Sequence, residues 1–209
     1  MDTISQLATS MGDRSEASNI AFAEKIVLAN DGHAIAELIE LLAHKTKGLR
    51  YDSIKVLYEV GERKPALIAS HRHVFQTMLT YKDNRLQWGA MAALDAIATK
   101  YPDKIAEMLT DIVAAADSGS VITRDHAVGI LIKLCLHHLS VELAYPLLIE
   151  QLLSSPVNQL PMYAENMLPV IDKKNKGVFI KTLQSRLDEV DKESKKKRIE
   201  KVIKKALTI

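Results

Sequence analysis

The stretch NRLQWGAMAALDAIATKYPDKI, residues 84–105, decides the fold because its apolar pattern recurs along the chain. Ala90, Leu94 and Ile97 in this stretch are four and then three residues apart, which puts them on one face of a helix. The pattern returns about every 37 residues, at Ser53, Leu57 and Val60, at Ala127, Leu131 and Leu134, and at Ala164, Leu168 and Ile171. Such a period indicates stacked helical units, because each unit buries its apolar stripe only against its neighbours.

Prolines and short polar stretches predict where these helices begin and end. Pro65 and Pro102 are one period apart, and each is placed to start a helix, since its missing N–H is harmless in the first turn. The helix from Pro65 is expected to bury Ile68, Phe75, Met78 and Leu79. Residues 117–120, DSGS, predict a loop, and Pro169 predicts a helix that is kinked or ends early.

The sequence therefore predicts an all-α protein, an α-solenoid of about five helix pairs plus a C-terminal capping helix. Residues 15–209 are predicted to form a single domain, and the chain of 209 residues is long enough to bury a substantial core. Residues 1–14 are polar and are predicted to be flexible or weakly ordered. The first helix is expected near Ser15, with an apolar side formed by Ile20, Ala23, Val27 and Leu28.

Composition bears on where the protein works. No apolar run approaches the roughly 20 residues that a helix needs to cross a bilayer. Cys135 is the only cysteine, so no intrachain disulfide can form and a reducing compartment fits best. We therefore expect a cytoplasmic protein that does not insert into a membrane.

Charge is distributed unevenly along the chain. The formal net charge is only +2, but residues 172–206 hold 13 Lys and Arg against 6 Asp and Glu. Within this end, KESKKKRIEKVIKK at residues 192–205 surrounds an apolar helical face with cations. Contact with a polyanion and the solvated outer face of a capping helix both explain this pattern, and the second is favoured. The residues assigned to polyanion contact are Lys195, Lys196, Lys197, Arg198 and Lys201.

No motif in the sequence indicates catalysis. The chain lacks GxxxxGK[ST], GxGxxG, HExxH and GxSxG segments. The histidines His71, His73, His137 and His138 do not have the spacing of metal ligands on one helix face. Cys135 lies in a helix that is apolar on most sides, which favours a buried and inert thiol over a nucleophile. We expect no enzyme activity, no metal and no cofactor.

Trp88 is the only tryptophan, and two interpretations apply to it. Tryptophan is enriched at the centres of protein interfaces, so Trp88 is a candidate anchor for a partner. Its equivalent one period earlier is Tyr51, which suggests instead a bulky residue that packs at the junction of two repeats. The packing interpretation is favoured.

The segments RLQWGAMAALDAIATKYPDKI (residues 85–105) and LRYDSIKVLYEVGERKPALI (residues 49–68) resemble HEAT repeats of the HEAT/armadillo type. They share a first helix with an Ala-x-x-x-Leu-x-x-Ile core, a turn with proline and a second helix. The resemblance covers about residues 31–190 and departs from the family where its ladder of Asp and Arg appears only in pieces, at Asp52, Arg124 and Asp125. It implies a non-enzymatic scaffold or adaptor that binds proteins.

In HEAT-like proteins the second helices line the concave surface, where partners bind. By the repeat alignment, the resemblance implies partner-binding positions at His73, Gln76, Thr77, Glu107, Thr110, Asp111, Glu150, Gln151, Lys181 and Gln184. The middle of this strip is acidic and its end is basic. A partner with a basic segment is therefore expected to lie along the middle.

The alternative is a nucleic-acid-binding HEAT-like protein, related to DNA alkylation-repair glycosylases and using the basic C-terminal end. Those enzymes use concave tryptophans together with an aspartate, and the single Trp88 on a first helix speaks against their chemistry. A lyase or hydrolase on a helical-repeat frame, as in some bilin-modifying proteins, has no supporting residue. The identity of the partner and the oligomeric state stay open.

Overall fold

The computed structural model describes residues 2–137 and 141–209, and within them it contains α-helices and 3-10 turns but no strand. The all-α class predicted from the sequence is confirmed. None of the described helices is both long and apolar enough to cross a membrane. The chain divides into two compact units, Met1–Ile130 and Leu131–Ile209. A single domain over residues 15–209 stays a prediction.

Eight helices lie wholly in the first unit: α1 (Ala8–Met11), α2 (Ala17–Ala29), α3 (Gly32–Leu41), α4 (Lys47–Arg63), α5 (Arg72–Met78), α6 (Asn84–Ala98), α7 (Pro102–Ala106) and α8 (Leu109–Ser118). Its 3-10 turns are Ile4–Gln6, Pro65–Leu67 and Ala69–His71. The division between the units falls within α9 (Val121–Leu136). The second unit contains α10 (Val141–Ser154), α11 (Leu160–Met167), α12 (Lys176–Ser185) and α13 (Glu193–Leu207), with 3-10 turns at Leu168–Val170 and Leu187–Glu189.

The core of the first unit lies around α4, which packs between α2 and α6. Every residue of α4 from 52 to 61 is buried, and α3 covers part of the same helix. Gly89 of α6 permits close approach to α4, since a Cβ there would come within 2.6 Å of Ile54. Of the twelve positions in the recurring apolar pattern, only Leu168 is not fully buried. It begins the 3-10 turn that contains Pro169, so this proline ends α11 early, as predicted.

Two of the predicted second helices, those that start at Pro65 and Pro102, are broken in the first unit. The stretch from Pro65 forms two 3-10 turns followed by α5, and the stretch from Pro102 forms α7 followed by α8. The breaks come at His71 (φ −94°, ψ 8°) and Met108 (φ −109°, ψ 7°), which are one period apart and share the bridge conformation that ends a helical ladder. The single helix predicted from Pro65 is therefore wrong, although Ile68, Phe75, Met78 and Leu79 are buried as predicted.

The loop predicted at residues 117–120 is shorter than expected. Helix α8 continues through Ser118, whose hydroxyl donates to the carbonyl of Ala114 at 2.8 Å. Only Gly119 and Ser120 join α8 to α9, and Ser120 Oγ accepts from the backbone N–H of Thr123. A Cβ at Gly119 would lie 2.6 Å from the carbonyl oxygen of Ala115, so the tight link depends on glycine.

Helix α2 faces the core with a different side from the one predicted. Its buried residues include Phe22, Ala23 and Ile26, whereas Leu28 is 84% exposed. The helix carries apolar residues on several sides, so its period alone did not identify the face that packs on α4.

The N-terminal segment contacts the rest of the first unit. Leu7 is fully buried, and the backbone N–H of Ala8 donates to Asn19 Oδ1 at 3.0 Å. The backbone N–H of Thr9 donates to the buried carboxylate of Asp52 at 2.7 Å, and Asn19 Nδ2 donates to the same carboxylate at 2.8 Å. These bonds tie residues 7–9 to α2 and α4. The mobility predicted for residues 1–14 stays a prediction.

In the second unit α13 packs against α11 and α12 through Ile199, Val202 and Ala206. The buried Arg186 follows α12 and donates through Nη1 to the backbone carbonyls of Leu152 and Ser155, each at 2.9 Å. These carbonyls belong to the end of α10, where acceptors lack partners within the helix. Arg186 thus links the end of α12 to the end of α10 through hydrogen bonds. Ser140, predicted to cap α10, lies outside the described residues.

Candidate partner-binding surfaces

A network of paired charges joins α4 and α6 to Glu16, the residue before α2, in the first unit. Lys55 Nζ lies 2.7 Å from Glu59 Oε1 and 3.0 Å from Glu16 Oε2. Arg63 contacts the other oxygen of Glu59 at 2.5 Å, and Arg85 contacts Glu16 at 2.8 Å. Lys55 and Glu59 are themselves buried, so their charges require these partners.

The pKa values of the buried pair follow from this arrangement. Burial alone would lower the pKa of Lys55, but its hydrogen bonds with Glu59 and Glu16 outweigh burial, and the pKa is raised. Burial would raise the pKa of Glu59, but hydrogen bonds from Lys55 and Arg63 outweigh burial, and the pKa is lowered. Both groups are therefore held in their charged forms.

Three aromatic side chains lie among these charges, the partly exposed Tyr51 and Trp88 and the buried Tyr58, and we call these three residues the aromatic surface. The rings of Tyr58 and Trp88 have centroids 5.7 Å apart at an interplanar angle of 50°. The Lys55 ammonium lies 4.8 Å from the centroid of the Tyr58 ring, and the Arg85 guanidinium lies 4.9 Å from that of Tyr51. Trp88 is partly exposed, and its ring packs against Tyr58 of the preceding repeat. Both interpretations of Trp88 thus describe part of its environment.

The pieces of the predicted ladder have other roles. Asp52 binds the N-terminal segment through its carboxylate. Arg124 donates from Nε to the carbonyl of Ala116 at 3.1 Å and lies 3.7 Å from the Asp117 carboxylate. Another pair links α6 and α9, where His126 Nδ1 lies 3.0 Å from Asp95 Oδ2.

The strip predicted for partner binding is partly assembled in the first unit. His73, Gln76 and Thr77 on α5 and Glu107, Thr110 and Asp111 near α8 are all exposed or half-buried. Gln76 Nε2 donates to Asp111 Oδ2 at 2.6 Å, which joins the two groups. In the second unit Glu150, Lys181 and Gln184 are exposed.

Gln151 is placed wrongly in that prediction. It is 2% exposed, because it shares the buried side of α10 with Ala144, Leu148 and Leu152. The repeat alignment therefore does not give the outward-facing positions of α10, a helix that contains Pro146. Gln151 is excluded as a contact for a partner.

The predicted basic residues lie on α13, and they differ in how they are paired. Arg198 forms a two-point contact with the Glu165 carboxylate, at 2.9 and 2.6 Å, and its hydrogen bonds lower the pKa of Glu165. Lys195 donates to Asn158 at 2.5 Å, and Lys197 lies 3.7 Å from Glu193. Within the described residues, no hydrogen bond or ion pair involves the basic side chains of Lys196, Lys201, Lys204 and Lys205.

A cavity of about 660 Å³ lies in the second unit between α10 and the chain after α11. Its wall includes Cys135, Tyr145, Pro146 and Pro169. Tyr145 donates to the carbonyl of Asn175 at 3.0 Å. Burial raises the pKa of Cys135 to about 12, so the group is a neutral thiol near pH 7 and has no nucleophilic thiolate.

The histidines are dispersed in the structure. Among residues 2–137 and 141–209, no three His, Cys, Asp or Glu side chains are grouped as metal ligands. His73 contacts Gln76 at 3.1 Å, and His71 begins the bend before α5. His138 lies outside the described residues.

Two important residues were missed by the sequence reasoning. Tyr58 packs against Trp88, and the sequence indicated it by its position two turns after Tyr51 on the same helix. Arg72 lines a cavity of about 340 Å³. The sequence offered little indication of this role, because Arg72 lies between His71 and His73, which were considered as metal ligands.

Comparison with solved structures identifies the fold. A designed armadillo repeat protein in complex with the peptide (KR)4 is 15% identical, with a TM-score of 0.64, over 88% of this chain and 85% of that one. Armadillo repeat proteins designed computationally for modular peptide recognition are 14% identical, with a TM-score of 0.65 and the same coverage. An archaeal HEAT-like repeats protein from Thermococcus onnurineus NA1 is 14% identical, with a TM-score of 0.49, over 93% of this chain and 97% of that one.

Sequence comparison adds nothing to this. No family model matches the sequence, and a search of curated proteins finds no match. The fold is nevertheless that of armadillo-like helical repeat proteins, which agrees with the HEAT/armadillo resemblance of the sequence.

Proposed function

We propose that the protein is a non-enzymatic scaffold that binds a segment of a partner protein on the aromatic surface of its first unit. The observation that carries the proposal is Trp88, which is partly exposed and held against Tyr58 by ring packing. A rigid aromatic ring supplies contact area with little loss of side-chain entropy, which is why such rings dominate binding energy at interfaces.

The charges around these rings make the surface ordered before a partner arrives. Lys55, Arg63 and Arg85 are each paired with a carboxylate, so few side chains need to be immobilised on binding. Binding is stronger when less conformational freedom is lost. The paired charges therefore support a preformed site.

The chemistry of the partner follows from the excess of acid. The first unit carries 17 Asp and Glu against 14 Lys and Arg. Glu62 is exposed three residues after Glu59, on the same side of α4 as the network. An extended segment rich in Lys or Arg fits this surface, and the structurally similar designed protein is in complex with such a peptide, (KR)4.

Affinity capture with the full chain tests the proposal. Partners retained by the wild type are expected to be lost with Trp88→Ala and weakened by Glu62→Lys, which reverses one exposed charge on the same surface. Glu40→Lys, on the exposed side of α3, is the matched control and should retain them. Loss with Asp111→Lys but not with Trp88→Ala would instead place binding on the predicted strip of second helices.

A second candidate function is supported by α13. Four lysines of this helix make no hydrogen bond or ion pair with a described residue, and such cations attract polyanions, because each phosphate contact releases counterions. Binding of duplex and single-stranded DNA and RNA, measured across a salt series, tests this function. Binding that falls steeply with salt and disappears with Lys201→Gln and Lys205→Gln supports it. Binding that is absent at moderate salt excludes it and leaves α13 as a solvated cap.

A further inference from the structure

A cavity beside α5 in the first unit is lined by an arginine, Arg72. Arg72 is the first residue of α5 and is half-buried. Its Nε atom is buried and has no hydrogen-bond partner, and within the described ranges no carboxylate lies within ion-pair distance of its guanidinium group. A guanidinium group is always charged in a protein, and a buried donor without an acceptor is unfavourable. The described part of the chain therefore supplies no acceptor for the Nε–H of Arg72.

Further donors line the same cavity. Lys104, on α7, lies in its wall together with Ser70 and Tyr101, which carry hydroxyl groups. Neither hydroxyl makes a hydrogen bond to a described residue. Ile97 forms part of the wall, and no Asp or Glu lines the cavity. The residues that line the site thus include two cations, two hydroxyl-bearing side chains and no carboxylate.

Lys104 is available to a ligand although it has a neighbour. Its Nζ atom lies 3.3 Å from Glu107, and both side chains are more than half exposed. Ion pairs this exposed contribute little and are screened by salt. An anion in the cavity can therefore recruit Lys104 away from Glu107.

We propose that this cavity binds the phosphate group of a phosphorylated ligand. A phosphate monoester carries a charge of about −1.5 to −2 at pH 7, which matches two cations, whereas a carboxylate matches only one. Phosphate oxygens accept from the guanidinium group of Arg72 and from the ammonium group of Lys104. The volume of about 340 Å³ lies at the small end of ligand sites and accommodates a phosphate with a few attached atoms.

The Nε–H resonance of Arg72 in the 15N-labelled full chain tests the proposal directly. Titration with inorganic phosphate at constant ionic strength is expected to shift this resonance to saturation, while sodium acetate shifts it much less. Backbone amide shifts of Tyr101 and Lys104 provide the Kd for variants. Arg72→Gln should raise the Kd at least tenfold and Lys104→Gln several-fold.

Controls separate this site from general attraction of anions. Arg14→Gln removes another exposed arginine of the same unit and should leave the Kd unchanged. Lys104 is exposed, so Lys104→Gln keeps the test decisive even if Arg72→Gln disturbs folding. The proposal is overturned if phosphate does not shift Arg72, if acetate binds equally well, or if Arg14→Gln weakens binding as much as Arg72→Gln.

Two further probes distinguish the source of the phosphate. O-phospho-L-serine and a short peptide containing phosphoserine carry the same phosphate group, the first on a single amino acid and the second on a polypeptide. Equal affinity for both supports a small phosphate ester as the ligand. At least tenfold tighter binding of the peptide supports a phosphorylated side chain of a protein. This experiment uses no partner of the aromatic surface, so its failure leaves the proposed scaffold function untouched.

Discussion

The two units differ in how completely their charges are paired. In the first unit Lys55, Arg63 and Arg85 are paired with carboxylates around the aromatic surface, and acid is in excess. In the second unit, Lys and Arg outnumber Asp and Glu by 14 to 9, and α13 presents Lys201 and Lys205 without an ion pair in the described part of the chain. Paired charges fix the geometry of a surface, whereas unpaired charges act at longer range and yield to salt.

This contrast shows that net charge alone does not identify the kind of partner a surface fits. The first unit has the smaller charge surplus, yet it holds the rigid aromatic rings that favour a specific protein contact. The second unit has the larger surplus but has no comparable pair of stacked rings among its described residues. We therefore assign specificity to the first unit and general electrostatic attraction to the second.

The largest expected effect compares one repeat position in both units. Leu94 is fully buried, and Leu94→Ala should lower the free energy of unfolding by about 2–5 kcal/mol, because it removes contacts and leaves a cavity. Leu168 is its equivalent in the second unit and is only half-buried, so Leu168→Ala should cost about 1–2 kcal/mol. Urea titration of both variants measures the difference. Equal losses would show that the two repeats are packed alike.

The next effect concerns the buried carboxylate that holds the N-terminal segment. Asp52→Ala leaves the amide of Thr9 and the side chain of Asn19 without an acceptor, which should cost about 1–3 kcal/mol. Hydrogen exchange at the amides of Ala8 and Thr9 should accelerate by about tenfold or more. Asp111→Ala, at an exposed site, is the control. Rapid exchange of these amides already in the wild type would confirm the flexible N-terminus predicted from the sequence.

The smallest expected effect is a difference between Glu59 and Glu165 in how much each makes the stability of the fold depend on pH. Both have lowered pKa values in the folded protein, so each contributes stability that is complete above the unfolded pKa of about 4.5 and is lost as pH falls through the folded value. Glu59 is buried and Glu165 is half-exposed, so solvent screens the second more. Stability measured from pH 6 to pH 3 should flatten more with Glu59→Gln than with Glu165→Gln. A larger flattening with Glu165→Gln than with Glu59→Gln would contradict the stronger effect that we assign to the buried pair.

The sequence predicted the fold well because the fold depends on burial at regular intervals. Ala90, Leu94 and Ile97 report their helix face through spacing alone, and the structure buries all three. The breaks at His71 and Met108 were not predictable, because ordinary residues adopt the bridge conformation there and no proline or glycine marks the bend.

The candidate sites were less predictable for a physical reason. Gln151 was assigned outward by repeat offset, but the packing of α10 turned it inward. Arg72 is recognisable only through what surrounds it, since a missing acceptor is a property of three-dimensional neighbours and not of spacing along the chain. Sequence periodicity therefore predicts which residues are buried in the core, whereas a binding site depends on which side chains meet across neighbouring helices.

The emission of Trp88 tests the central claim most directly, because it is the only tryptophan in the chain. The full chain is titrated with the peptide (KR)4 at low and at moderate salt, and an uncharged peptide of equal length is the control. We predict a saturable change in emission with (KR)4 only, which weakens with salt and with Glu62→Lys but not with Glu40→Lys. Emission that stays constant while the peptide binds elsewhere would contradict the assignment of partner binding to the aromatic surface.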